Sequence, residues 1–217
     1  MQDLSVSPSA LAYLYGDQLE DLFVSRARLS VNETLPCREV KLKKKDLAAM
    51  VGVAALVGLL KEDCLRLSLG SRGAIIKSKH VLASRSTRPT SRFAGLEAEL
   101  MSRVTGKDKD DGVASIVARV LGDDSADPWG RWLGRVRQHL LEQGYFTSEQ
   151  RSGIGRLLGK ELVPQCDRIA AVQPEVRQLR AVLAAYRAAE PQLYEQLWKD
   201  VTGGITSRQS TADIDLD

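Results

Sequence analysis

The chain has 217 residues, of which 43% are hydrophobic and 27% charged, and 31 Lys and Arg against 28 Asp and Glu leave a net charge of +3. That length suits one domain or two small ones, and the lack of a low-complexity linker favours one. The excess of cations is too mild to mark a nucleic-acid binder by itself, so what matters is where the cations lie.

The first residues, MQDLSVSPSA, have neither a basic opening nor a long apolar run, so no signal peptide is expected. Ser7 before Pro8 reads as an N-cap followed by a first helical residue, with Leu11, Leu14 and Tyr15 on one apolar side. After Gly16, the residues Leu19, Leu22, Phe23 and Val24 predict a second short helix to about Arg28. Residues 29–45 mix Asn32, Pro36 and a lysine cluster, and read as loop with at most a short extended piece.

Residues 47–60 (LAAMVGVAALVGLL) carry no polar side chain, and their large groups cover every face of a helix. At about 1.5 Å per residue the stretch measures roughly 21 Å, short of a bilayer span, so it is expected to be enclosed by the rest of the chain. Asp46 reads as its N-cap, and Gly52 and Gly58 imply that other backbone passes close by. Two β-prone runs follow, 64–69 and 74–82, joined by a turn at 70–73 into a hairpin. Phe93, Leu96, Leu100, Met101 and Val104 mark a helix ended by Gly106, and a short helix is expected over 113–121.

In residues 128–144 (PWGRWLGRVRQHLLEQG), Asp127 caps and Pro128 opens a helix whose inward stripe is Trp129, Trp132, Leu133, Val136 and Leu140. Arg131, Arg135, Gln138 and Glu142 fall on the opposite side. Residues 145–164 are broken by glycines and read as irregular or hairpin-like, with Ile154, Leu157 and Leu158 among them. Two more helices begin at Gln173-Pro174 and at Pro191, and Gly203-Gly204 is expected to end the ordered part, leaving 203–217 as a disordered tail. The predicted fold is mainly α: one compact helical domain over 1–202, gathered around one buried apolar helix, with one or two β-hairpins.

Catalytic chemistry finds no foothold. The stretch GIGRLLGKE resembles the end of a phosphate loop, but Ile154 stands where the first glycine is needed and Glu161 where a Ser or Thr must hold magnesium. His80 and His139 are the only histidines and read as surface or boundary residues; no CxxC, HExxH, serine elbow or recognisable Cys-His pair accompanies them. The carboxylates Glu62, Asp63, Asp108, Asp110, Asp111, Asp123 and Asp124 sit at predicted element ends or in loops and read as solvated charge. Cys37, Cys64 and Cys166 are odd in number and far apart, which argues against a disulfide framework and for a reducing, cytoplasmic setting. Neither enzymatic activity nor a metal or cofactor is expected.

The positive signals are basic. Lys41, Lys43, Lys44 and Lys45 precede the apolar helix, Arg85, Arg88 and Arg92 follow the hairpin, and Arg131, Arg135 and Arg137 lie on the tryptophan helix. If they converge, that face would attract a lipid headgroup, a phosphate or a nucleic acid. Trp129 and Trp132, at helical spacing, read as core.

The order of these elements resembles the core of the Golgi phosphoprotein 3-like family. The resemblance rests on LAAMVGVAALVGLL, the strand-turn-strand CLRLSLGSRGAIIKSKHVLAS, the later FAGLEAEL and the helix WLGRVRQHLLEQGYFTSEQ, and covers about 44–188. It implies a non-catalytic helical domain that attaches peripherally to membranes through phosphatidylinositol 4-phosphate. By the same resemblance Arg131, Arg135 and Arg137, with Lys43, Lys44 and Lys45, would form the headgroup site, and Ile154, Leu157 and Leu158 would touch the bilayer. The family's two pocket arginines lie three apart, whereas Arg131 and Arg135 are four apart, and Lys44 and Lys45 replace an arginine before the central helix. Two other readings stand beside this one: a winged-helix-like DNA binder, which lacks a polar recognition helix, and a protein-protein scaffold with a basic face. A homo-oligomer is compatible with all three.

Overall fold

Ser7 accepts a hydrogen bond from the Ala10 amide and Pro8 fills the first helical position, so α1 (Pro8–Leu14) begins where the sequence predicts. The computed structural model describes residues 4–23, 31–72, 78–86, 90–106, 111–150 and 160–210. Instead of a second α-helix, two 3-10 turns follow, Gly16–Gln18 and Glu20–Leu22. The region read as loop contains two short antiparallel strands, β1 (Asn32–Thr34) and β2 (Lys41–Lys43), with Glu33 opposite Leu42.

Strand β2 runs without a loop into α2 (Lys44–Lys61). The helix therefore starts before the expected Asp46 cap: Lys43 occupies the cap position, and Asp46 sits buried in the first turn, where a carboxylate suits the positive helix end. Every residue from Asp46 to Leu59 is buried, and the helix packs against α1 and four later helices. It is not alone in this, since all of α1 is buried too. The glycines of α2 mark close approach of side chains, not of backbone. A Cβ on Gly58 would stand 2.5 Å from Pro8 Cγ, and one on Gly52 would stand 2.6 Å from Val201 Cγ1.

The hairpin beyond α2 is longer than predicted. Strand β3 (Leu65–Arg72) pairs antiparallel with β4 (Ser78–Arg85), and Gly70 and Ser71, expected in the turn, lie within β3 opposite His80 and Lys79. Ala74, Ile75 and Ile76, expected to open the second strand, lie outside the described residues. Helices α3 (Leu96–Ser102) and α4 (Val113–Leu121) follow, then α5 (Pro128–Glu142), capped by Asp127 as expected and burying Trp129, Trp132, Leu133, Val136 and Leu140. Strands β5 (Phe146–Gln150) and β6 (Lys160–Pro164) form a third hairpin, and the unanticipated α6 (Cys166–Ala171) leads into α7 (Gln173–Ala189) and α8 (Pro191–Thr206).

Gly203 and Gly204 do not end the ordered part. Both lie inside α8, and Gly204 lets the helix press onto α4, since a Cβ there would stand 2.6 Å from the Ala114 carbonyl oxygen. Beyond α8 the chain is tied to the loop before α5: Ser125 donates its amide to the Arg208 carbonyl at 2.8 Å, and Ser210 donates to the Ser125 carbonyl at 3.1 Å.

The described residues form a mainly helical fold with three two-stranded antiparallel sheets. No helix among them is long and apolar enough to cross a membrane. The expectation against disulfides is overturned: Cys37 and Cys166 are bonded, their Cα atoms 5.5 Å apart although 129 positions separate them in sequence. The fold brings the β1–β2 connection to the start of α6, which sequence distance hides. Cys64 remains a buried free thiol.

Candidate functional site

Strand β2 alternates exposed Lys41, buried Leu42 and exposed Lys43, the period-two pattern that directs both lysines to one side while Leu42 enters the core. The two lysines line a cavity of about 280 Å³ together with Asn32, Glu20 and Asp46, and Phe23 and Trp198 contribute its aromatic wall. Asn32 pairs with Lys43 across the β1–β2 sheet, so the hairpin itself holds one side of the cavity.

Lys44 and Lys45 point elsewhere, toward the first turn of α5. Lys44 Nζ donates to Asp127 Oδ2 at 2.8 Å, and Lys45 Nζ lies 5.7 Å from the centre of the Trp129 ring. Asp127 Oδ1 meanwhile accepts the Gly130 amide at 2.8 Å and caps the helix. Burial alone would push the Asp127 carboxyl up, but the Lys44 hydrogen bond, the Gly130 amide and the Lys44 and Arg137 charges outweigh it and hold the group below its ordinary value. Arg137 is 3.6 Å from Glu33 of β1 and donates to the Gly130 carbonyl at 3.5 Å. Lys44, Lys45 and Arg137 thus gather where α5 meets the start of α2 and β1.

Arg131 and Arg135 do not join them. Arg131 donates to the Asp123 carbonyl at 2.7 Å, and Arg135 is ion-paired with Glu99 of α3. At about 100° per residue, Arg137 lies roughly 120° around the helix from Arg131 and roughly 160° from Arg135. The three arginines therefore occupy two sides of α5. Ile154, Leu157 and Leu158 lie outside the described residues, in the connection between Gln150 and Lys160, which close the β5–β6 ladder.

The arginines after the β3–β4 hairpin serve helix ends. Arg85 donates to the carbonyls of Val104 and Met101 at 3.2 and 3.4 Å, where α3 ends, and Arg92 Nε is 2.6 Å from Glu62. Arg88 lies outside the described residues. Two carboxylates read as solvated are in fact buried, because tertiary partners await them. Glu62 meets Arg92 and accepts from Ser91 at 2.6 Å, and Asp111 accepts the Thr105 and Gly106 amides at 2.9 and 2.6 Å. His139, expected at the surface or boundary, is buried against Gly95, whereas His80 is half-buried.

Glu97 of α3 had no sequence signal at all. It is fully buried and accepts both the amide and the hydroxyl of Ser9, each at 2.8 Å, so it serves the start of α1. Burial pushes its carboxyl up to about 7, against the opposing pull of the Ser9 hydrogen bonds. The Phe23 and Trp198 wall was equally unmarked, since both residues belong to apolar stripes that read as core. Among the described residues no three His, Cys, Asp or Glu side chains cluster as a metal site. The chain matches no protein-family model, and no curated protein or solved structure is significantly similar to it.

Proposed function

We propose that this chain is a non-enzymatic, peripheral membrane protein that docks an anionic lipid headgroup at the cavity beside β2; the Cys37–Cys166 disulfide removes the argument from cysteine usage for a reducing, cytoplasmic setting. Lys41 and Lys43 make the direct contacts, and Lys44, Lys45 and Arg137 add positive field from the adjoining α5 turn. In this reading α2 is the axis on which the fold is organised, and the resemblance to the Golgi phosphoprotein 3-like family makes phosphatidylinositol 4-phosphate the first headgroup to try. The observation that carries the reading is the pair of exposed lysines at a cavity of about 280 Å³. Two ammonium groups on one strand edge suit a multiply charged phosphate.

The sequence of the β5–β6 connection supports it further. Residues 151–159 (RSGIGRLLG) combine Arg151 and Arg156 with Ile154, Leu157 and Leu158. Basic residues interleaved with apolar ones are the composition that binds an anionic interface, by charge at the headgroups and by apolar burial just beneath them. The DNA-binding alternative gains nothing, since the helix next to the β3–β4 hairpin is buried over most of its length.

Vesicle flotation tests this. Binding is expected to vesicles containing phosphatidylinositol 4-phosphate, to weaken with salt, and to fall in Ile154→Glu and Leu157→Glu variants. Equal binding to neutral phosphatidylcholine vesicles, or none to either, overturns it.

A further inference from the structure

Both cysteines of the Cys37–Cys166 bond are exposed. They line one cleft of about 380 Å³ together with Tyr15, Arg38 and Asp167, and Cys37 also lines a larger one of about 770 Å³. The bond thus lies at the surface, where an incoming thiol can approach it, and exposed disulfides are the labile ones. Cys64 is a buried free thiol and offers neither cysteine an alternative partner at the surface.

What the bond holds is a weak element. Strands β1 and β2 have three residues each and form a sheet of their own, and a two-stranded hairpin of that size is barely stable alone. Its root is tied down, since the Lys44 amide donates to the Val31 carbonyl at 2.8 Å and Leu35 and Leu42 are buried. Its tip is fastened by the disulfide to α6 and by Arg38, which pairs with Asp17 and lies 5.3 Å from the centre of the Tyr15 ring. A partly exposed ion pair contributes little by itself, so the covalent link dominates at the tip. Cys37 has a φ of 58°, in the left-handed region that a residue with a side chain keeps only where its surroundings impose it. Cutting the bond removes one of those constraints.

We propose that Cys37–Cys166 is a reversible redox latch on the β1–β2 hairpin. Closed, it holds the two strands in register; opened by a dithiol, it lets the hairpin fray while the helices stay folded. In the opening, a thiolate of the dithiol attacks one sulfur of the bond and the other cysteine leaves as a thiolate. The second thiol of the reductant then closes its own disulfide and releases the first cysteine. Two electrons and two protons pass from the dithiol to Cys37 and Cys166, which end as thiols. Lys41 and Lys43 are set on one side of β2 by its pairing with β1, so opening the latch also weakens headgroup docking. That consequence rests on the function proposed above; the latch itself does not.

Hydrogen–deuterium exchange read by mass spectrometry tests the latch in the full chain, compared as oxidised, reduced by dithiothreitol without denaturant, and reoxidised with oxidised glutathione. Reduction should speed exchange of the amides in 32–42 at least roughly tenfold and leave α2, α5 and α8 unchanged, and reoxidation should restore the protection. The double variant Cys37→Ser with Cys166→Ser should match the reduced chain with or without dithiothreitol. A bond that dithiothreitol leaves intact, hairpin exchange that does not rise, a rise throughout the chain, or protection that does not return overturns the latch. Flotation on vesicles containing phosphatidylinositol 4-phosphate reads the consequence, and the reduced chain should bind roughly fivefold more weakly than the oxidised one. Equal binding by the two forms overturns the regulation. An oxidised chain that binds no anionic vesicle overturns the docking function instead, and the exchange result still decides the latch.

Discussion

The two ends of the molecule use charge in opposite ways. Around α3 and α4, cations and carboxylates are turned inward: Arg85 holds the Met101 carbonyl of α3 and the Val104 carbonyl just beyond it, Glu62 meets Arg92, Asp111 gathers the amides after α3, and Glu97 receives the start of α1. At the β1–β2 end the hairpin is fastened covalently through Cys37–Cys166, while Arg38 pairs with Asp17 at 2.7 Å. Lys41 and Lys43 of the same hairpin stay exposed at a cavity. The difference shows that residue type does not decide whether a charge is structural. Burial and a partner on another element decide it.

The largest effect should come from cutting that covalent fastening. The disulfide closes a loop between positions 129 apart, and in the chain-entropy account a loop of that length contributes about 5 kcal/mol, of which such bonds typically deliver about 2–4. The double substitution Cys37→Ser with Cys166→Ser should lower the urea-unfolding free energy by about 2–4 kcal/mol, and a reducing agent should do the same to the parent chain alone. Counting alkylated thiols by mass spectrometry, one without reductant and three with it, ties the effect to this bond. If the parent unfolds at the same urea concentration with and without reductant, the bond does not fasten the hairpin.

The inward-facing end should reveal itself through pH. Glu97 is raised to about 7 in the folded chain, so between the ordinary carboxyl value and about 7 the folded state holds a proton that the unfolded state has already released. Its contribution to stability is therefore complete below the ordinary carboxyl value and is lost as pH rises through about 7. The loss is on the order of 3 kcal/mol for a group this buried. Glu97→Gln keeps an acceptor for Ser9 and cannot ionise, so its stability should stay flat over the same window. A parent chain whose melting temperature does not fall from pH 5 to pH 8 relative to this variant would contradict a buried, shifted carboxyl.

At the exposed end the measurable quantity is binding. An ammonium near an anionic surface contributes about 1 kcal/mol, so the loss of both cations in Lys41→Glu with Lys43→Glu should weaken association with anionic vesicles by at least roughly thirtyfold, and the two added carboxylates weaken it further. Exposed side chains carry little stability, so the unfolding free energy should move by no more than about 0.5 kcal/mol. Vesicle affinity that survives the double reversal would move the headgroup site away from β2.

How much of this was legible beforehand follows from the range of the interactions involved. Helices α4 and α5 could be read because their apolar period is local and Asp127-Pro128 announces the start of α5. Strands β1 and β2 could not: each spans three residues, Leu42 is the only buried position in either, and two charged neighbours flank it. The burial of Glu62, Asp111 and Glu97 depends on Arg92, the Thr105 and Gly106 amides and Ser9, which nothing in the local sequence links to them. The Cys37–Cys166 pair is hidden in the same way. By contrast, the division of the α5 arginines was readable: positions 135 and 137 are two apart on a helix and cannot share a face. The expectation that all three share one headgroup site comes from the family resemblance, and helix geometry runs against it.

The smallest effect is the one that sharpens the division most. Arg135 and Glu99 are paired with side chains 31% and 38% exposed, and a pair this accessible is worth about 0.5 kcal/mol. Arg135→Gln should therefore cost little stability, and because the guanidinium is turned toward α3 it should leave vesicle affinity within about twofold of the parent. Arg137→Gln, on the side of α5 that meets Lys44 and β1, should lower vesicle affinity about fivefold, the loss of one cation near an anionic surface. Measured side by side in one flotation series, the two variants compare identical chemistry two positions apart. Equal losses would mean that both sides of α5 reach the membrane, and a loss only in Arg135→Gln would reverse the assignment of the two ends.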